Sequence, residues 1–531
     1  MEEGGGGLSG FLCQVGRPAK LVLQGGGQSP GGGRPSLSAE AVGTGVAVSP
    51  RARSPSSPEG TETRYGSGGR AGSRGQELCR TSLPPASQAA TAPAAATGKK
   101  AGGRAAREVC EWKEPEELKS LLDLELQSHG ETQEKILERC RAVIHYSVKT
   151  GARYTYEIAP VFVLMEEEVL KKLRALVGWS SGDGVFCPGG SISNMYAMNL
   201  ARYQRYPDCK QRGLRALPPL AIFTSKECHY SVNKGAAFLG LGTDSVRVVK
   251  ADERGKMIPK DLERQISLAE AKGAVPFLVS ATSGTTVLGA FDPLNAIADV
   301  CQRHGLWLHV DAAWGGSVLL SQTHRHLLDG IQRADSVAWN PHKLLGAGLQ
   351  CSALLLQDTS NLLKRCHESQ ARYLFQQDKF YDVALDTGDK VVQCGRRVDC
   401  LKLWLLWKAQ GRQGLEQRIN RAFALSQYLV EEIKKREGFE LVMEPEFVNV
   451  CFWFVPPSLR GKQESLDYSQ RLSQVAPVLK ERMVKAGSMM IGYQPHGAWG
   501  NFFRVIVVNP MLTHTDIDFL LDELERLGQD L

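Results

Sequence analysis

The segment LWLHVDAAWGG at residues 306–316 and the segment SVAWNPHK at residues 336–343 decide the fold class of this chain. Each starts with a short, continuous apolar run and leads into a polar residue, Asp311 in the first and Lys343 in the second. Runs that are apolar throughout are typical of strands buried on both faces of a parallel sheet. The two segments therefore predict parallel strands whose carboxyl ends bring Asp311 and Lys343 into one crevice.

Further apolar runs alternate with amphipathic stretches on both sides of these segments. They occupy residues 220–224, 246–249, 275–281 and 353–356. This alternation predicts an α/β domain with a mainly parallel sheet covered by helices on both faces. Beyond residue 410, a long helix at about 415–436 and a few antiparallel strands predict a smaller α+β domain. We expect a tail at 1–107, a helical segment at 108–150, the large domain at 151–414 and the small domain at 415–531.

Charge and composition separate the tail from the rest of the chain. The 531 residues include 64 Lys and Arg against 57 Asp and Glu, a net charge of +7, and the first 107 residues, with 13 basic and 6 acidic side chains, hold all of this excess. The tail is rich in Gly and Pro, so we expect it to be disordered. A neutral body without a long apolar run indicates neither a nucleic-acid partner nor a membrane span. Thirteen cysteines without a C-x-x-C pair favour a reducing cytoplasm and no metal site.

Lys343 and Asp311 together indicate one cofactor, pyridoxal phosphate. It needs a lysine amine for a Schiff base and a carboxylate that keeps its pyridine nitrogen protonated. Alone, Asp311 could equally cap a helix and Lys343 could be a surface charge. Residues 187–194, CPGGSISN, precede a helical stretch whose free amides, with Ser191 and Ser193, can bind a phosphate. His229, after the run at 220–224, can stack on a planar ring or be a structural histidine.

Several longer motifs resemble the group II pyridoxal-phosphate-dependent amino-acid decarboxylases. They are SKECHYS at 225–231, SATSGTTVLGAFDP at 280–293, LWLHVDAAWGG, WNPHKLL at 339–345, YLFQQDKFYDVALDTGDKVVQCGRRVD at 373–399 and GNFFRV at 500–505. The resemblance runs from about residue 109 to residue 531. It implies the α/β architecture of fold-type-I enzymes, with a smaller α+β C-terminal domain, and a homodimer with active sites at its interface.

The resemblance also implies roles for individual residues. Lys343 would bind the cofactor covalently, Asp311 would pair with the pyridine nitrogen and His229 would stack over the ring. Tyr381, on a loop that in relatives crosses from the other subunit, would return a proton to the substrate Cα and complete the catalytic set; read alone, it is an ordinary loop aromatic. Arg504 would bind the substrate α-carboxylate, the alternative being a salt bridge at an interface. Further cofactor contacts are implied for Ser191, Ser193, Thr286, Asn340 and His342.

The resemblance also implies the reaction, decarboxylation of L-cysteine sulfinate to hypotaurine, a step towards taurine, with aspartate or cysteate as minor substrates. One departure from the family bears on this expectation. Where relatives carry a substantial segment that selects the distal acidic group, this chain has only Ala152, Arg153 and Tyr154 between HYSVKTG and TYEIAPVF. The sequence therefore leaves open a glutamate or aspartate decarboxylase and a catalytically impaired isoform that pairs with full-length subunits.

Overall fold

A computed structural model describes residues 111–147, 155–393 and 395–531 of the chain. The predicted disordered tail at 1–107 lies outside the described residues. The shortened junction at 151–154 also lies outside them.

Helices and strands alternate along most of the described chain. The helices are α1 Pro115–Leu122, α2 Gln133–Tyr146, α3 Pro160–Val177, α4 Gly190–Arg205, α5 Cys209–Arg212, α6 Ser231–Phe238, α7 Pro259–Ala271, α8 Leu294–His304, α9 Leu362–His367, α10 Asp399–Lys435, α11 Tyr468–Ala486 and α12 His514–Gly528. The strands are β1 Asp183–Cys187, β2 Leu220–Ser225, β3 Val246–Val249, β4 Val275–Thr282, β5 Trp307–Asp311, β6 Ser336–Trp339, β7 Ser352–Leu356, β8 Phe439–Leu441, β9 Asn449–Phe454, β10 Gly492–Pro495 and β11 Asn501–Ile506. The six apolar runs predicted as strands of the large domain all form strands.

Seven strands form one sheet in the order β1-β7-β6-β5-β4-β2-β3. The five strands β6, β5, β4, β2 and β3 are parallel to one another, whereas β7 runs antiparallel to both β6 and β1. The mainly parallel sheet predicted from the apolar runs is therefore confirmed. Strand β1 was not predicted, since its five residues begin with Asp183 and Gly184, which strands usually avoid.

The sheet is buried on both faces, and β7 shows this directly. Leu355 packs in the largest hydrophobic cluster together with residues of α3, whereas Leu354 and Leu356 pack in a second cluster with residues of α4. Successive side chains of a strand point to opposite faces, so an uninterrupted apolar run requires helices on both sides. This explains why the strands read as continuous rather than alternating apolar runs.

The four remaining strands form a second, antiparallel sheet in the order β10-β11-β9-β8. A separate hydrophobic cluster joins this sheet to α11, α12 and the second half of α10. Helix α10 starts at Asp399, earlier than the predicted position 415, and contains a non-helical residue at Gly411 with φ of 63°. A Cβ at Gly411 would lie 2.2 Å from the backbone of His129, so this close approach requires glycine. Among the described residues, no helix is long and apolar enough to cross a membrane.

Candidate active site

The structure places Asp311 at the carboxyl end of the central parallel strands. Asp311 is the last residue of β5, which pairs in parallel with β4 and β6. Its carboxylate is buried and accepts hydrogen bonds from Asn194 Nδ2 at 2.8 Å and from the Ala313 backbone N–H at 3.1 Å. Two donors hold the carboxylate in one orientation, as the partner of a cationic ring nitrogen requires.

Lys343 lies in a turn, four residues beyond the end of β6. Its backbone N–H donates to the Asn340 carbonyl at 3.0 Å. Burial lowers the pKa of its amine, and the charge of Asp311 opposes this shift only in part. In residues 155–393 and 395–531, the Nζ atom has neither a hydrogen-bond nor an ion-pair partner. An amine with a lowered pKa is neutral in a larger fraction of molecules, and the neutral form is the nucleophile that attacks an aldehyde.

The turn before α4 forms a cradle suited to a phosphate. Gly189 has φ of 105°, and a Cβ at Gly190 would lie 2.7 Å from Asn340 Nδ2, so the helix start and the turn of Asn340 touch only because no side chain intervenes. Ser193 lies in the first turn and its Oγ is 3.2 Å from Ser352 Oγ, which donates to Asn340 Oδ1 at 2.5 Å. Ser191, partly buried, is also in this first turn. The first amides of a helix have no intrahelical acceptor, and the helix dipole favours an anion there.

His229 lies beyond the end of β2, and His342 lies beyond the end of β6, next to Lys343 in sequence. His229 follows β2, is partly buried, and has its Nδ1 atom 2.8 Å from Ser231 Oγ. His342 Nδ1 lies 2.6 Å from the Cys351 carbonyl oxygen and 3.2 Å from the Cys351 backbone nitrogen. Burial lowers the pKa of both imidazoles, so both rings are neutral near pH 7.

Arg504 comes from the small domain, on β11. One of its terminal nitrogens donates to the Thr286 carbonyl, whereas its Nε atom is buried and has no hydrogen-bond partner among the described residues. Burial lowers the pKa of the guanidinium. A buried, unpaired N–H is costly, and a carboxylate that accepts from the Nε–H removes the cost. Thr286 is itself exposed and contributes its main chain here.

Tyr381 contacts none of the residues described above and has other partners. Its hydroxyl contacts Lys379 Nζ and Asp386 Oδ1, both at 3.0 Å, and its ring lies 5.3 Å from that of Tyr156 and 6.0 Å from that of Trp112. The structure thus brings Lys343, Asp311 and the phosphate cradle to one edge of the sheet, but not Tyr381.

Four residues that the sequence analysis missed connect the predicted ones. They are Asn194, Ser231, His309 and Ser352, all of them buried and all hydrogen-bonded to a predicted site residue or to one another. Each lies within three residues of a predicted site residue or at a strand start, so proximity was the only available signal. Buried polar side chains are exceptions in a core and are held by such partners.

The side chains present match what pyridoxal phosphate requires. Lys343 supplies a desolvated amine, Asp311 a fixed carboxylate, and the start of α4 a phosphate cradle with room made by Gly190. Lys343, Asp311, His229, Ser191, Ser193, Thr286, Asn340 and His342 are therefore the residues we would test first as cofactor contacts.

Comparison with known proteins agrees with this chemistry. The family profile of the pyridoxal-dependent decarboxylase conserved domain matches residues 152–455. Cysteine sulfinic acid decarboxylase of Rattus norvegicus is 83% identical over 458 residues, covering 81% of this chain and 93% of the relative. Acidic amino acid decarboxylase GADL1 of Mus musculus is 60% identical and covers 80% of this chain and 82% of the relative. The crystal structure of mouse CSAD, 82% identical, covers 80% of this chain and 94% of that chain, with a TM-score of 0.70.

Proposed function

The chain belongs to the pyridoxal-dependent decarboxylase family, and from this we propose that it decarboxylates L-cysteine sulfinate to hypotaurine, a step in taurine synthesis. The convergence of Lys343 and Asp311 at the end of parallel strands carries the chemistry. The choice of cysteine sulfinate rests on the 83% identity to the rat cysteine sulfinic acid decarboxylase. Aspartate and cysteate are secondary candidates, since the acidic amino acid decarboxylase GADL1 of mouse is 60% identical.

The residues of the site divide the work as follows. Lys343 would hold the cofactor covalently through its amine. Bound pyridoxal phosphate supplies an electron sink, and Asp311 keeps that sink effective by holding its carboxylate against the pyridine nitrogen. His229, neutral because burial lowers its pKa, contributes a flat face against which the ring can stack. The start of α4 and Asn340 bind the phosphate.

Arg504 orients the carboxylate that leaves as carbon dioxide. Its buried Nε–H and its remaining terminal nitrogen are available to two carboxylate oxygens. A carboxylate fixed by Arg504 would keep the bond that breaks in a single orientation. The substrate Cα then takes a proton, for which we propose the hydroxyl of Tyr381.

The position of Tyr381 supports a homodimer. Its own chain holds it beside Trp112 and Tyr156. In the proposed homodimer, the second subunit supplies the Tyr381 that serves each site. The neighbouring residues Phe380 and Tyr373 are 74% and 79% exposed, which is unusual for large aromatic side chains and suits a covered surface. A cytoplasmic location fits the nine cysteines of the described residues, which are all free.

We also propose that the chain lacks a segment before Thr155 that its relatives have. The alignment with the rat relative extends over 458 residues, whereas 81% of this 531-residue chain is about 430 residues, which supports a segment present only in the relative. Thr155 Oγ1 and Tyr156 Oη are buried without a hydrogen-bond partner among the described residues, and burial raises the pKa of Tyr156 to about 12. We therefore keep two alternatives, altered acid selectivity and a catalytically impaired isoform that pairs with full-length subunits.

The test starts with the purified chain and pyridoxal phosphate. We expect visible absorbance that Lys343→Ala abolishes and that Lys272→Ala, at an exposed helix end, leaves unchanged. Carbon dioxide and the amine product are then measured with cysteine sulfinate, cysteate, aspartate and glutamate, and cysteine sulfinate should give the largest kcat/KM. Absorbance without turnover would favour the impaired isoform, which a pull-down with tagged full-length subunits then tests. A folded chain without Lys343-dependent absorbance would contradict the proposal.

A further inference from the structure

Asn194 occupies the centre of a buried polar network beneath the candidate active site. It lies on α4 and is 1% exposed. Its Nδ2 atom donates to Asp311 Oδ2 at 2.8 Å and to Ser231 Oγ at 2.9 Å, and its Oδ1 atom lies 2.9 Å from His309 Nε2. Both amide hydrogens and the carbonyl oxygen are thus used, each on a different partner.

The partners of His309 determine which way the amide faces. Burial lowers the pKa of His309 to about 4, so the ring is neutral and carries one proton. Trp307 Nε1 donates to Ser336 Oγ at 2.8 Å, and the same Oγ lies 2.8 Å from His309 Nδ1, to which its hydroxyl hydrogen can be donated. The Asp311 carboxylate can only accept, so the NH2 group of Asn194 faces Asp311 and its oxygen faces His309. The ring proton is therefore on Nε2 and is donated to the oxygen of the Asn194 amide. A flipped amide would place two donors face to face at the His309 contact and two acceptors face to face at Asp311.

The second branch of the network ends at His229. Ser231 Oγ accepts from Asn194, so its own hydrogen is free to be donated to His229 Nδ1 at 2.8 Å. The backbone N–H of Ser231 also points to His229 Nδ1, at 3.3 Å. Nδ1 is therefore an acceptor, and the proton of this neutral ring is on Nε2.

We propose that Asn194 is a positioning residue that sets two cofactor-facing groups at once, holding Asp311 as an accepting carboxylate and His229 as its Nε2–H tautomer. The inference rests on the proposed function, because both groups belong to the same site. All donors in the network point the same way, from Trp307 through His309 to Asn194 and then to the two ends. Reversing the donor at Asn194 must therefore disturb both ends together.

The decisive variant is Asn194→Asp, which keeps the shape and the oxygen that accepts from His309. It replaces the donor with a carboxylate oxygen facing Asp311, and two adjacent carboxylates must share one proton. The Ser231 hydroxyl would turn to the new carboxylate and leave His229 Nδ1. We expect the Kd for pyridoxal phosphate to rise at least about tenfold, and the midpoint of the pH titration of the Lys343-dependent visible absorbance to move by about one unit.

Asn199→Asp is the matched control, since it makes the same chemical change on the same helix. Asn199 Nδ2 contacts Cys366 Sγ at 3.3 Å and His367 Nε2 at 3.1 Å, neither of which belongs to the site. We expect its Kd for the cofactor to stay within about twofold of the unaltered chain and its titration midpoint to stay in place. If Asn194→Asp lowers thermal stability but leaves Kd and midpoint unchanged, its role is structural and the inference is wrong.

A second pair of variants tests the network without touching Asn194. His309→Gln keeps an N–H that can donate to the Asn194 oxygen, whereas His309→Leu does not. We expect His309→Leu to shift the absorbance midpoint as Asn194→Asp does, and His309→Gln to keep the midpoint of the unaltered chain. Equal effects of the two variants, or no effect of either, would overturn the inference even if Asn194→Asp fails to fold. Loss of Lys343-dependent absorbance in the unaltered chain would remove the proposed function and the inference together, whereas an unchanged Asn194→Asp removes only the inference.

Discussion

The segment that carries Tyr381 is held by a buried ion pair between Lys379 and Asp386. Their side chains are 6% and 4% exposed, and Lys379 Nζ lies 2.8 Å from Asp386 Oδ2. Asp386 Oδ1 also accepts from the Tyr156 backbone N–H at 2.7 Å and from the Tyr381 hydroxyl at 3.0 Å. Burial alone would lower the pKa of Lys379, and its hydrogen bonds to Asp386, Tyr381 and Glu157 more than offset this, so its pKa is raised.

Asp386→Asn removes one charge and keeps the shape. The amide oxygen can still accept from Tyr156 and Tyr381, so the loss is mainly that of the ion pair. Breaking a buried pair from one side costs about 3–5 kcal/mol, and Glu157, 3.0 Å from Lys379 Nζ, remains as a partly exposed counter-charge, so we expect the lower end, about 3 kcal/mol. Lys379→Met should cost about 2 kcal/mol, because Asp386 keeps its two neutral donors. The double variant should cost about 2 kcal/mol as well, since neither charge is then left unpaired.

Urea unfolding, followed by circular dichroism and tryptophan fluorescence, measures these free energies of unfolding. Glu481→Gln is the control, because its ion pair with Lys485 on α11 is exposed and should give no measurable change. Additive losses in the double variant, or a loss below about 1 kcal/mol for Asp386→Asn, would refute the idea that this ion pair holds the Tyr381 segment.

Three further perturbations test other parts of the structure. Burial holds the pKa of His309 and of His367 at about 4, below the unfolded value of about 6.5. Unfolding therefore takes up protons between these two values. The free energy of unfolding should fall as the pH is lowered from 6.5 to 4, by up to about 1.4 kcal/mol per pH unit for each histidine. Urea midpoints between pH 7 and pH 5 measure this, and a slope that His367→Gln leaves unchanged would contradict the assignment. Gly190→Ala introduces a Cβ 2.7 Å from Asn340 Nδ2, so cofactor titration should show a Kd raised at least about tenfold, while Gly395→Ala, with open space around it, should show none of this loss. His496, in the turn between β10 and β11, contacts Glu227 at 3.0 Å and stacks on Trp499. Because this hairpin positions Arg504, His496→Ala should raise KM for the acidic substrate several-fold with little change in kcat. His326→Ala, at an exposed position, should change neither constant, and equal kinetics for the two variants would argue against a role of His496 in holding the hairpin.

Most of the site residues that could be predicted from the sequence lie just after a recognisable local pattern. Asp311 follows an apolar run directly, and Lys343 follows another by four positions, so strand ends placed both at the same edge of a parallel sheet. The glycines before α4 indicated a tight turn in the same way. The individual roles of these residues, Tyr381 and Arg504 above all, came from resemblance to the decarboxylase family rather than from any local pattern.

The parallel core, its strand ends and the family could all be predicted from the amino-acid sequence, because apolar runs and contiguous motifs are local properties. The antiparallel pairing of β7 with β6 and with β1 became visible in the tertiary structure, since strand direction depends on where the chain returns. The tertiary structure alone placed Asn194 against Asp311, 117 positions away, and against His309, 115 positions away. It also placed Tyr381 beside Tyr156 rather than Lys343. The direction of a hydrogen bond depends on partners far apart in sequence, so no window along the chain contains it.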